Sequence, residues 1–538
     1  MTNERTNEEL LHPRETSEGA PPSCKQAKLG RKLGDLVNEI PGAKLAFGDP
    51  SVFITGVHHD SRRVSPGDLF VARSGAHTSG ERFVVDAIGR GASAVLTASG
   101  ASVETNGLPR IEVVDVPSAL AYASAAVYGH PTFALEVVGV TGTNGKTTTT
   151  HLVQACLAAA GQRPGIVGTL GYRFGDLDLP STHTSPEADE LARIAAAMHL
   201  RGASHLVMEV SSIALAARRV EAVRFRVAAF LNLTQDHLDY HGTMEAYAEA
   251  KARLFVDLGP GSAAINVDDP FGAELVKRLA PRGLAGPSSS TIARFSTRIG
   301  ISPDEADIAP VSVEHTSSGI WLVARTPAGQ LSIRSPLVGA HNVQNLLATV
   351  AICWLLEIDL HAAARVLSGT IRVPGRLERC DDPTRDDVIV LVDYAHTPDA
   401  LDRVLQSVRA FGQGRVHCVF GCGGDRDPKK RPLMGEAVAR GADVAIVTND
   451  NPRSEDPRAI ADAILPGLAG GKATVRVELD RAKAIEHAVL DAAPGDVVLV
   501  AGKGHEPYQI IGAVTLPFDD RVEAERALGL RRAARGGA

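Results

Sequence analysis

The feature that most limits how this chain can fold is an apolar run that leads into a glycine-rich turn and then into a helix-forming segment. Residues 134–140 read ALEVVGV, which is typical of a buried strand, and residues 150–161 read THLVQACLAAAG, which favours a helix. Between them, the glycines of GTNGKTT at 142–148 allow backbone N–H groups to turn toward a polyphosphate. A strand, a glycine-rich turn and a helix in this order predict a phosphate-binding loop in an α/β domain.

The polar residues of this turn have distinct predicted roles. Lys146 would lie against the outer phosphates, and Thr147 would offer its hydroxyl to Mg2+. The standard phosphate-loop pattern has a further glycine at the position that Val140 occupies here, so a glycine-rich turn without a ligand is the alternative. The ATP-binding residues predicted in the loop are Gly142, Thr143, Asn144, Gly145, Lys146, Thr147 and Thr148.

Length and charge restrict the classes of protein to which the chain can belong. At 538 residues it exceeds what one hydrophobic core organises, so about three domains are expected. Its 56 basic and 63 acidic residues give a net charge of -7, which argues against nucleic acid or an anionic membrane as a partner. The six cysteines indicate neither a disulfide framework nor a metal site, and no apolar run is long enough to cross a bilayer. A cytoplasmic protein is therefore expected.

Alternating strand-like and helix-like segments predict three α/β domains after a polar, disordered tail at residues 1–28. The first domain, 29–132, contains the strand-like runs GDLFVA and SAVLTA. The second, 133–370, contains the phosphate loop and a predicted surface loop at 281–291, after which strand-like runs resume. The third, 371–538, alternates runs such as DVIVLVDY and DVVLVAGKG with helical segments, which is typical of a doubly wound, Rossmann-like parallel sheet.

The segment TGTNGKTTTT at 141–150 resembles the nucleotide loop of the Mur ligases and the folylpolyglutamate synthetases. Two further segments, MEVSS at 208–212 and NLTQDH at 232–237, resemble blocks of the same family in the same order. The resemblance covers nearly the whole chain except the tail. It implies the three-domain Mur ligase architecture: a small N-terminal α/β domain, a central phosphate-loop ATPase domain and a C-terminal Rossmann-like domain.

The resemblance also implies a catalytic set in the central domain. It assigns Glu209 and His237 as Mg2+ ligands, and a hard oxygen ligand beside a phosphate loop suits Mg2+. Lys251 matches a lysine that the family converts with CO2 to a carbamate able to hold a second Mg2+; without the family it would be read as a solvated helix lysine. The catalytic residues implied are Lys146, His237 and Lys251, and the metal-binding groups are Thr147, Glu209, His237 and carbamylated Lys251.

Further matches concern the rest of the ATP site. The segment GAHNVQN at 339–345 resembles the block in which Asn342 and Asn345 approach the adenine, although without the family these residues would indicate a helix start. Arg376 in VPGRLE and Asp393 in DYAHTP resemble residues that close on ATP from the third domain.

The site for a UDP-linked substrate is implied by the N-terminal half of the chain. DSR at 60–62 followed by GDLF resembles the uridine-binding entry of the tripeptide synthetases in the family. TSPEA at 184–188 resembles their TTP segment, and Ser211 and Arg219 match positions that hold the muramoyl-dipeptide. An arginine such as Arg219 can pair with a diphosphate or a carboxylate. Two departures affect the substrate geometry: Ile213 stands where the family commonly has His, and Ala217 lacks a polar side chain often found there. The UDP-substrate residues implied are Ser61, Thr184, Ser185, Ser211 and Arg219.

The amino-acid acceptor is inferred from DNPR at 450–453, which resembles the signature of the diaminopimelate-adding members. Diaminopimelate carries a distal carboxylate that lysine lacks, and a bidentate Arg453 would bind it. GDRD at 424–427 and GKGHE at 502–506 match the other acceptor contacts, with Glu506 holding a distal ammonium; without the family, DNPR would indicate a turn. The diaminopimelate-binding residues implied are Arg426, Asp450, Asn451, Pro452, Arg453, Gly502 and Glu506.

Together, these resemblances imply an amide-bond-forming ligase of peptidoglycan precursor synthesis, and hence of cell-wall biogenesis, cell shape and cell division. It would join meso-2,6-diaminopimelate to the D-Glu γ-carboxylate of UDP-MurNAc-L-Ala-D-Glu through an acyl phosphate, with ATP, Mg2+ and the CO2-derived carbamate as cofactors. The expected protein is a cytoplasmic monomer that binds no nucleic acid and does not insert into a membrane. The alternatives are a ligase for L-lysine or another amino acid, a folate-polyglutamylating enzyme, which the DSR and DNPR segments disfavour, and a silent nucleotide-binding scaffold.

Overall fold

The computed structural model describes residues 30–75, 78–280, 291–316, 319–369, 373–411 and 414–536. The predicted tail at 1–28 and positions 281–290 of the predicted surface loop lie outside the described residues. The chain divides into two compact units: unit 1 comprises residues up to 296, 301–308 and 348–363, and unit 2 comprises 297–300, 309–347 and those from 364 onward. No helix in the described stretches is both long and apolar enough to cross a membrane.

Residues 30–134 of unit 1 form a small α/β sheet, as the alternating pattern predicts. Its strands are β1 (Arg31–Lys32), β2 (Lys44–Phe47), β3 (Phe53–Ile54), β4 (Val57–His58), β5 (Leu69–Val71), β6 (Ala94–Ala98) and β7 (Arg110–Val113); its helices are α1 (Leu33–Glu39), α2 (Val84–Gly89), α3 (Val116–Val127) and α4 (Pro131–Ala134). The five-stranded sheet has the order β2-β7-β6-β5-β4, in which β2 is antiparallel to β7 and the other neighbours are parallel, while β1 pairs with β3. Helix α3 begins where Asp115 accepts a hydrogen bond from the Ser118 N–H and Pro117 lies in the first turn.

The rest of unit 1 is a larger sheet that carries the phosphate loop. Its strands are β8 (Glu136–Thr141), β9 (Pro164–Gly168), β10 (Gly171–Phe174), β11 (Leu177–Leu179), β12 (His205–Glu209), β13 (Phe225–Phe230), β14 (Ser262–Asn266) and β15 (Ile292–Phe295); its helices are α5 (Lys146–Ala159), α6 (Ala188–Leu200), α7 (Ser212–Ala216), α8 (Leu238–His241), α9 (Met244–Val256) and α10 (Pro270–Leu279). The order is β11-β10-β9-β12-β8-β13-β14-β15, parallel from β9 to β15 with β10 and β11 antiparallel at one edge. Glu209 pairs in register with Val140, so the carboxyl ends of β12 and β8 meet where parallel α/β sheets bind ligands.

Unit 2 combines an antiparallel sheet with a mostly parallel one. The former contains β16 (Ala309–Thr316), β17 (Gly319–Thr326) and β18 (Gly329–Ser335); helices α11 (His341–Leu355) and α12 (Leu360–Leu367) follow and contribute residues to both units. The remaining strands are β19 (Glu378–Arg379), β20 (Ile389–Asp393), β21 (Val416–Phe420), β22 (Val444–Val447), β23 (Thr474–Val477), β24 (Val497–Ala501), β25 (Tyr508–Ile511) and β26 (Val514–Pro517); the helices are α13 (Pro398–Phe411), α14 (Lys430–Gly441), α15 (Pro457–Leu468), α16 (Arg481–Asp491) and α17 (Asp520–Gly536).

The six-stranded sheet of unit 2 has the order β19-β20-β24-β21-β22-β23. All neighbours are parallel except β19 and β20, so the predicted doubly wound sheet is present with one antiparallel edge strand. Alternate residues of the central strands enter two separate apolar cores: Leu391 and Leu499 face one, whereas Val390 and Val498 face the other. Burial on both faces explains why these strands read as continuous apolar runs.

Candidate active site

The glycine-rich turn connects β8 to α5 at the carboxyl edge of the large sheet. Val140, which replaces the first glycine of the standard pattern, is a buried strand residue, and Gly145 precedes α5 with a φ of +89° that favours glycine. The Lys146 ammonium donates hydrogen bonds to the carbonyl oxygens of Gly142 (2.8 Å) and Thr143 (2.9 Å), which folds the lysine over the loop. The predicted loop residues thus form one turn at a helix N-terminus, and Thr147 and Thr148 are buried in the first turn of α5.

The segment that follows β13 holds this loop in place. The side-chain oxygen of Asn232 accepts a hydrogen bond from the Asn144 N–H (2.9 Å), and the Asn232 amide donates to the Asn144 carbonyl (3.2 Å). The Thr143 hydroxyl donates to the Thr234 carbonyl (3.1 Å) and lies 3.0 Å from the Tyr247 hydroxyl. The side-chain nitrogen of Asn144 is buried without a hydrogen-bond partner in the described part of the chain. Because a buried donor without a partner is costly, this nitrogen marks a place suited to an oxygen-rich ligand.

Glu209 lies at the end of β12 with its carboxylate beside the first turn of α5. It is 1% exposed and accepts hydrogen bonds from the Thr147 hydroxyl (3.1 Å), the Thr169 N–H (2.8 Å) and the Thr169 hydroxyl (3.2 Å). A Cβ at Gly168 would lie 2.3 Å from Glu209 Oε1, so glycine is needed there to admit the carboxylate. The structure brings together two predicted metal-binding groups, Thr147 and Glu209. It adds Gly168 and Thr169, which the sequence did not reveal because no motif marks them.

Lys251 lies on α9 and is buried, unlike the solvated lysine that its sequence neighbours alone would suggest. Its ammonium donates to the Gly142 carbonyl (3.0 Å) and lies 4.5 Å from the centre of the Tyr247 ring. Burial, together with the charge of Lys146, lowers the pKa of Lys251 well below its ordinary value. The Lys251 amine therefore reaches the phosphate loop from this helix, at a site where burial disfavours its charged form.

His237 lies nearby on a more open surface. It precedes α8 with a φ of +52°, its side chain is 45% exposed, and its Nε2 atom lies 3.4 Å from Asp236 Oδ2. Its ring faces the Tyr247 ring edge-on, with 6.5 Å between the centres. Across the described ranges, no three His, Cys, Asp or Glu side chains gather as a metal site. A divalent cation here would therefore need oxygen ligands from the nucleotide or water beside those of the protein.

Three predicted substrate residues, Ser185, Ser211 and Arg219, form one cluster at the carboxyl end of β12. Ser185 is fully buried; its hydroxyl donates to the Glu209 carbonyl (2.9 Å) and accepts from the Ser211 N–H (3.0 Å). Arg219 donates to the Ser185 carbonyl (3.1 Å) and pairs with Glu187 at 2.7 Å. Thr184 joins the group around Glu209, because its hydroxyl lies 3.2 Å from that of Thr169.

Ser61 lies apart from this cluster along the chain. It is the buried residue of a 3-10 turn at Ser61–Arg63, and its hydrogen bond lowers the pKa of Asp86. The two departures from the family pattern lie at α7: Ile213 is in the helix and Ala217 caps its end. An imidazole nevertheless lies beside this segment, because His241 Nε2 is 2.9 Å from the Ser212 hydroxyl.

In unit 2, Asn342 and Asn345 are buried at the start of α11. The Asn342 amide donates to the Val338 carbonyl (2.7 Å), and its oxygen accepts from the Asn345 amide (2.8 Å). These hydrogen bonds fix the start of α11, as expected from the two residues when the family resemblance is set aside. Their contact with adenine stays a prediction.

Asp393 ends β20, and its carboxylate accepts the N–H groups of Leu377 (2.7 Å) and Ala395 (2.8 Å). Burial raises the pKa of Asp393, although the charge of Arg376 acts in the opposite direction. The Arg376 guanidinium lies 4.9 Å from the centre of the Tyr394 ring. The two predicted ATP residues of the third domain are thus neighbours.

The DNPR segment follows β22 and is bonded to the segment after β24. The Asn451 amide donates to Glu506 (3.0 Å), and its oxygen accepts from Lys503 (3.1 Å). Lys503 is fully buried and lies 3.3 Å from Glu506, so this lysine, which belongs to the GKGHE segment, is a site residue that the sequence did not single out. The Asp450 carboxylate lies against Gly502, because a Cβ built on this glycine would be only 2.5 Å from Asp450 Oδ2. These two predicted residues are therefore neighbours.

Arg453 has a left-handed backbone (φ +51°), and its Nη1 atom donates to the Gly424 carbonyl at 2.7 Å. Its own N–H donates to the Ile510 carbonyl at 3.1 Å. Pro452 is buried beside it, and Arg426 is exposed two residues after Gly424. One nitrogen of the Arg453 guanidinium, Nη1, is therefore hydrogen-bonded to the loop that carries Arg426.

Arg481 and Asp520 connect the DNPR segment to the GKGHE segment, and neither residue was predicted. Their side chains are fully buried and pair at 2.7 Å. Arg481 also donates to the carbonyl oxygens of Asn449 (3.2 Å) and Ala501 (3.1 Å), which directly precede the DNPR and GKGHE segments. No sequence signal marks this pair, because its members lie 39 residues apart and on different helices.

Comparison with protein families gives three matches along the chain. The Mur ligase family catalytic domain matches residues 53–128, the Mur ligase middle domain matches 140–353, and the Mur ligase glutamate ligase domain matches 375–504. These spans fall within the predicted domains 29–132, 133–370 and 371–538. The α/β fold and three-domain organisation expected from the sequence are confirmed.

Similar proteins and structures cover nearly all of the chain. A protein of Gloeobacter violaceus named UDP-N-acetylmuramoyl-L-alanyl-D-glutamate--2,6-diaminopimelate ligase is 46% identical, over 90% of this chain and 95% of that protein. A protein of the same name from Geobacillus thermodenitrificans is 42% identical, over 93% and 100%. A solved structure described by that name is 32% identical with a TM-score of 0.68 and covers 93% of this chain and 99% of the other. MurF ligase from Thermotoga maritima in complex with ADP, 19% identical with a TM-score of 0.58, shares the fold over 89% and 98%.

Proposed function

The chain belongs to the Mur ligase family, and we propose that it is the member that joins meso-2,6-diaminopimelate to UDP-MurNAc-L-Ala-D-Glu in peptidoglycan precursor synthesis. The observation that carries this proposal is the presence in one chain of a phosphate loop beside the buried Glu209 and of a DNPR segment bonded to Glu506. The relatives named for this reaction support it, because they align over 90% and 93% of the chain at 46% and 42% identity. We further propose that the protein acts in the cytoplasm as a monomer.

The reaction has two steps. An oxygen of the D-Glu γ-carboxylate attacks the γ-phosphorus of ATP, the bond from that phosphorus to ADP breaks, and an acyl phosphate forms. The neutral amine of diaminopimelate then attacks the acyl carbon, phosphate leaves with the former carboxylate oxygen, and the amine nitrogen loses a proton. Because negative charge is concentrated on phosphate oxygens, positioning and charge neutralisation supply most of the catalysis.

The residues around the phosphate loop fit a nucleotide and a divalent cation. Lys146 and the loop N–H groups would hold the ATP phosphates, and the buried Asn144 amide would find there the acceptor that it lacks. Thr147 and Glu209 offer hard oxygen ligands suited to Mg2+, with His237 as the further ligand that the family resemblance implies. Bound Mg2+ would neutralise phosphate charge as the acyl phosphate forms.

Lys251 fits the carbamate that the resemblance implies. Burial disfavours the charged form of Lys251; the uncharged amine is the nucleophile, and its addition to CO2 forms one N–C bond and releases one proton. The carbamate is an anion, so it would attract the charge of Lys146, which repels a lysine cation, and it would offer an oxygen ligand for a second Mg2+. Burial against the Gly142 carbonyl would keep this group at the loop.

The acceptor segment fits an amino acid with two charged ends. The guanidinium of Arg453 would pair with the distal carboxylate of diaminopimelate, a group that L-lysine lacks. Glu506 would hold the distal ammonium, and its existing bonds to Asn451 and Lys503 keep its carboxylate oriented. Rejection of lysine follows because the arginine would remain without a carboxylate partner.

The test is turnover by the purified full-length chain with ATP, Mg2+ and UDP-MurNAc-L-Ala-D-Glu, with meso-diaminopimelate or L-lysine supplied in parallel. Phosphate release is followed, and the product is identified by mass. We expect turnover with diaminopimelate and none with lysine, and we expect Lys146→Met to lose both phosphate release and product formation with diaminopimelate. Turnover with lysine alone would overturn the acceptor assignment, whereas no turnover with either amino acid would leave a nucleotide-binding scaffold as the better account.

A further inference from the structure

Glu187 is shared by two arginines that come from distant parts of unit 1. It directly precedes α6 and is 8% exposed. Arg73, two residues after β5, donates to Glu187 through Nη1 (2.6 Å to Oε2) and Nη2 (3.3 Å to Oε1). Arg219 pairs with the same carboxylate at 2.7 Å through its Nη2 atom. Although burial alone would raise it, the pKa of Glu187 is held below its ordinary value by the Arg73 hydrogen bond and the charge of Arg219.

The contacts of Arg219 leave one side of its guanidinium available. Nη2 is bound to Glu187 and Nη1 to the Ser185 carbonyl (3.1 Å). The Nε atom is buried and has no hydrogen-bond partner within the described ranges. Contacts at both Nη atoms prevent rotation of the guanidinium plane, so the direction of the Nε–H is set before any ligand arrives.

The charge balance of this group depends on Arg73. A lone Glu187 would neutralise Arg219 and remove its attraction for an anion. With Arg73 paired to the same carboxylate, two cations and one anion leave the group with one net positive charge. Because the three side chains are largely buried, this charge is weakly screened.

We propose that Glu187 and Arg73 are positioning residues that orient Arg219 toward an anionic group, a diphosphate or carboxylate, of the UDP-linked substrate. Arg73 also ties the small N-terminal sheet to the loop before α6, so one ion group joins two segments that carry predicted substrate residues. This inference rests on the proposed function. It concerns binding of one substrate, whereas the sites for ATP and the amino acid lie on other segments.

The test compares steady-state constants of Glu187→Gln and Arg73→Met with those of the unmodified full-length chain. Loss of a hydrogen bond between charged groups predicts a rise of roughly tenfold or more in KM for the UDP-linked substrate. The KM values for ATP and diaminopimelate should stay within about twofold, since neither ligand reaches Arg219 in this account. Arg73→Lys, which keeps the charge, should raise the KM for the UDP-linked substrate less than Arg73→Met does.

Glu190→Gln is the matched control. Glu190 lies on α6 and accepts a hydrogen bond from Thr182 (3.0 Å), and its carboxylate is 3.6 Å from Arg63 of the N-terminal sheet. It thus resembles Glu187 in location and in joining the same two segments. In the part of the chain that the structure describes, however, no hydrogen bond or ion pair joins it to Arg219, so Glu190→Gln should leave all three KM values unchanged. The double variant of Glu187 and Arg73 should raise KM less than the product of the single effects, because both act through Arg219.

Two results would overturn the proposal while the unmodified chain remains active. One is an unchanged KM for the UDP-linked substrate in both Glu187→Gln and Arg73→Met; the other is a lower thermal unfolding temperature with all KM values rising equally, which would indicate a structural role alone. Arg73 is one-fifth exposed, so its variant should fold even if Glu187→Gln does not. Inactivity of the unmodified chain with every substrate would instead contradict the proposed function.

Discussion

Replacing Gly168 by alanine should separate the carboxylate of Glu209 from the phosphate loop. The new Cβ would lie 2.3 Å from Glu209 Oε1 and 3.0 Å from the carboxyl carbon. A carbon and an oxygen without a covalent bond ordinarily stay about 3.3 Å apart, so the carboxylate must recede by roughly 1 Å. That movement would stretch its 2.8 Å bond to the Thr169 N–H and its 3.1 Å bond to the Thr147 hydroxyl beyond hydrogen-bond length.

The loss of one hydrogen bond to a charged group amounts to about 1.5–3 kcal/mol, which corresponds to roughly a 10- to 100-fold weaker interaction. We therefore expect Gly168→Ala to raise the Mg2+ concentration that gives half-maximal phosphate release by at least about tenfold. Calorimetric titration with a non-hydrolysable ATP analogue in Mg2+ should show a parallel loss of affinity. Gly89→Ala is the control, because a Cβ there meets no atom within 4 Å. An unchanged Mg2+ requirement in Gly168→Ala would refute the role given to Glu209.

Three further perturbations have defined outcomes. Lys251→Met should abolish most turnover, measured as phosphate release. Removal of CO2 and bicarbonate should slow phosphate release by the unmodified chain and leave the residual rate of the variant unchanged. Arg453→Met should lower kcat/KM for diaminopimelate by roughly 10- to 100-fold and narrow its preference over lysine, measured with both amino acids. Burial and the charge of Arg193 lower the pKa of His58 to about 4, so the unfolded chain binds the proton first as pH falls from about 6.5 to 4. Acid should therefore lower the free energy of unfolding through this group. In His58→Gln this fall should be smaller by up to about 3 kcal/mol, as denaturant unfolding at several pH values can measure.

Much of the fold could be predicted because buried parallel strands leave apolar runs in a sequence. Strands β20, β21, β22 and β24 each fall inside such a run. The antiparallel sheet of β16, β17 and β18 is different. Strands β17 and β18 alternate buried with more exposed residues, so they leave no continuous apolar run, and the sequence indicated that strands resume after 291 but not how they pair.

The candidate site could be predicted where its residues belong to one contiguous motif, as in the phosphate loop and DNPR. Gly168 could not be identified, because its importance arises when β9 lies beside β12 and Glu209. The burial of Lys251 likewise depends on α9 lying against Gly142 of a distant loop. Residues that act through tertiary contacts leave no mark on neighbouring positions, which explains why Glu187 and Arg481 were not singled out.

The central claim, that the chain activates a substrate carboxylate with ATP, can be tested by following one oxygen atom. UDP-MurNAc-L-Ala-D-Glu labelled with oxygen-18 in both γ-carboxylate oxygens would be converted with ATP, Mg2+ and meso-diaminopimelate, and the released phosphate analysed by mass. An acyl phosphate predicts one oxygen-18 atom in each phosphate released, matched by one amide product. Phosphate without the label would contradict the account, because it would show that water, rather than the substrate carboxylate, attacks the γ-phosphorus of ATP.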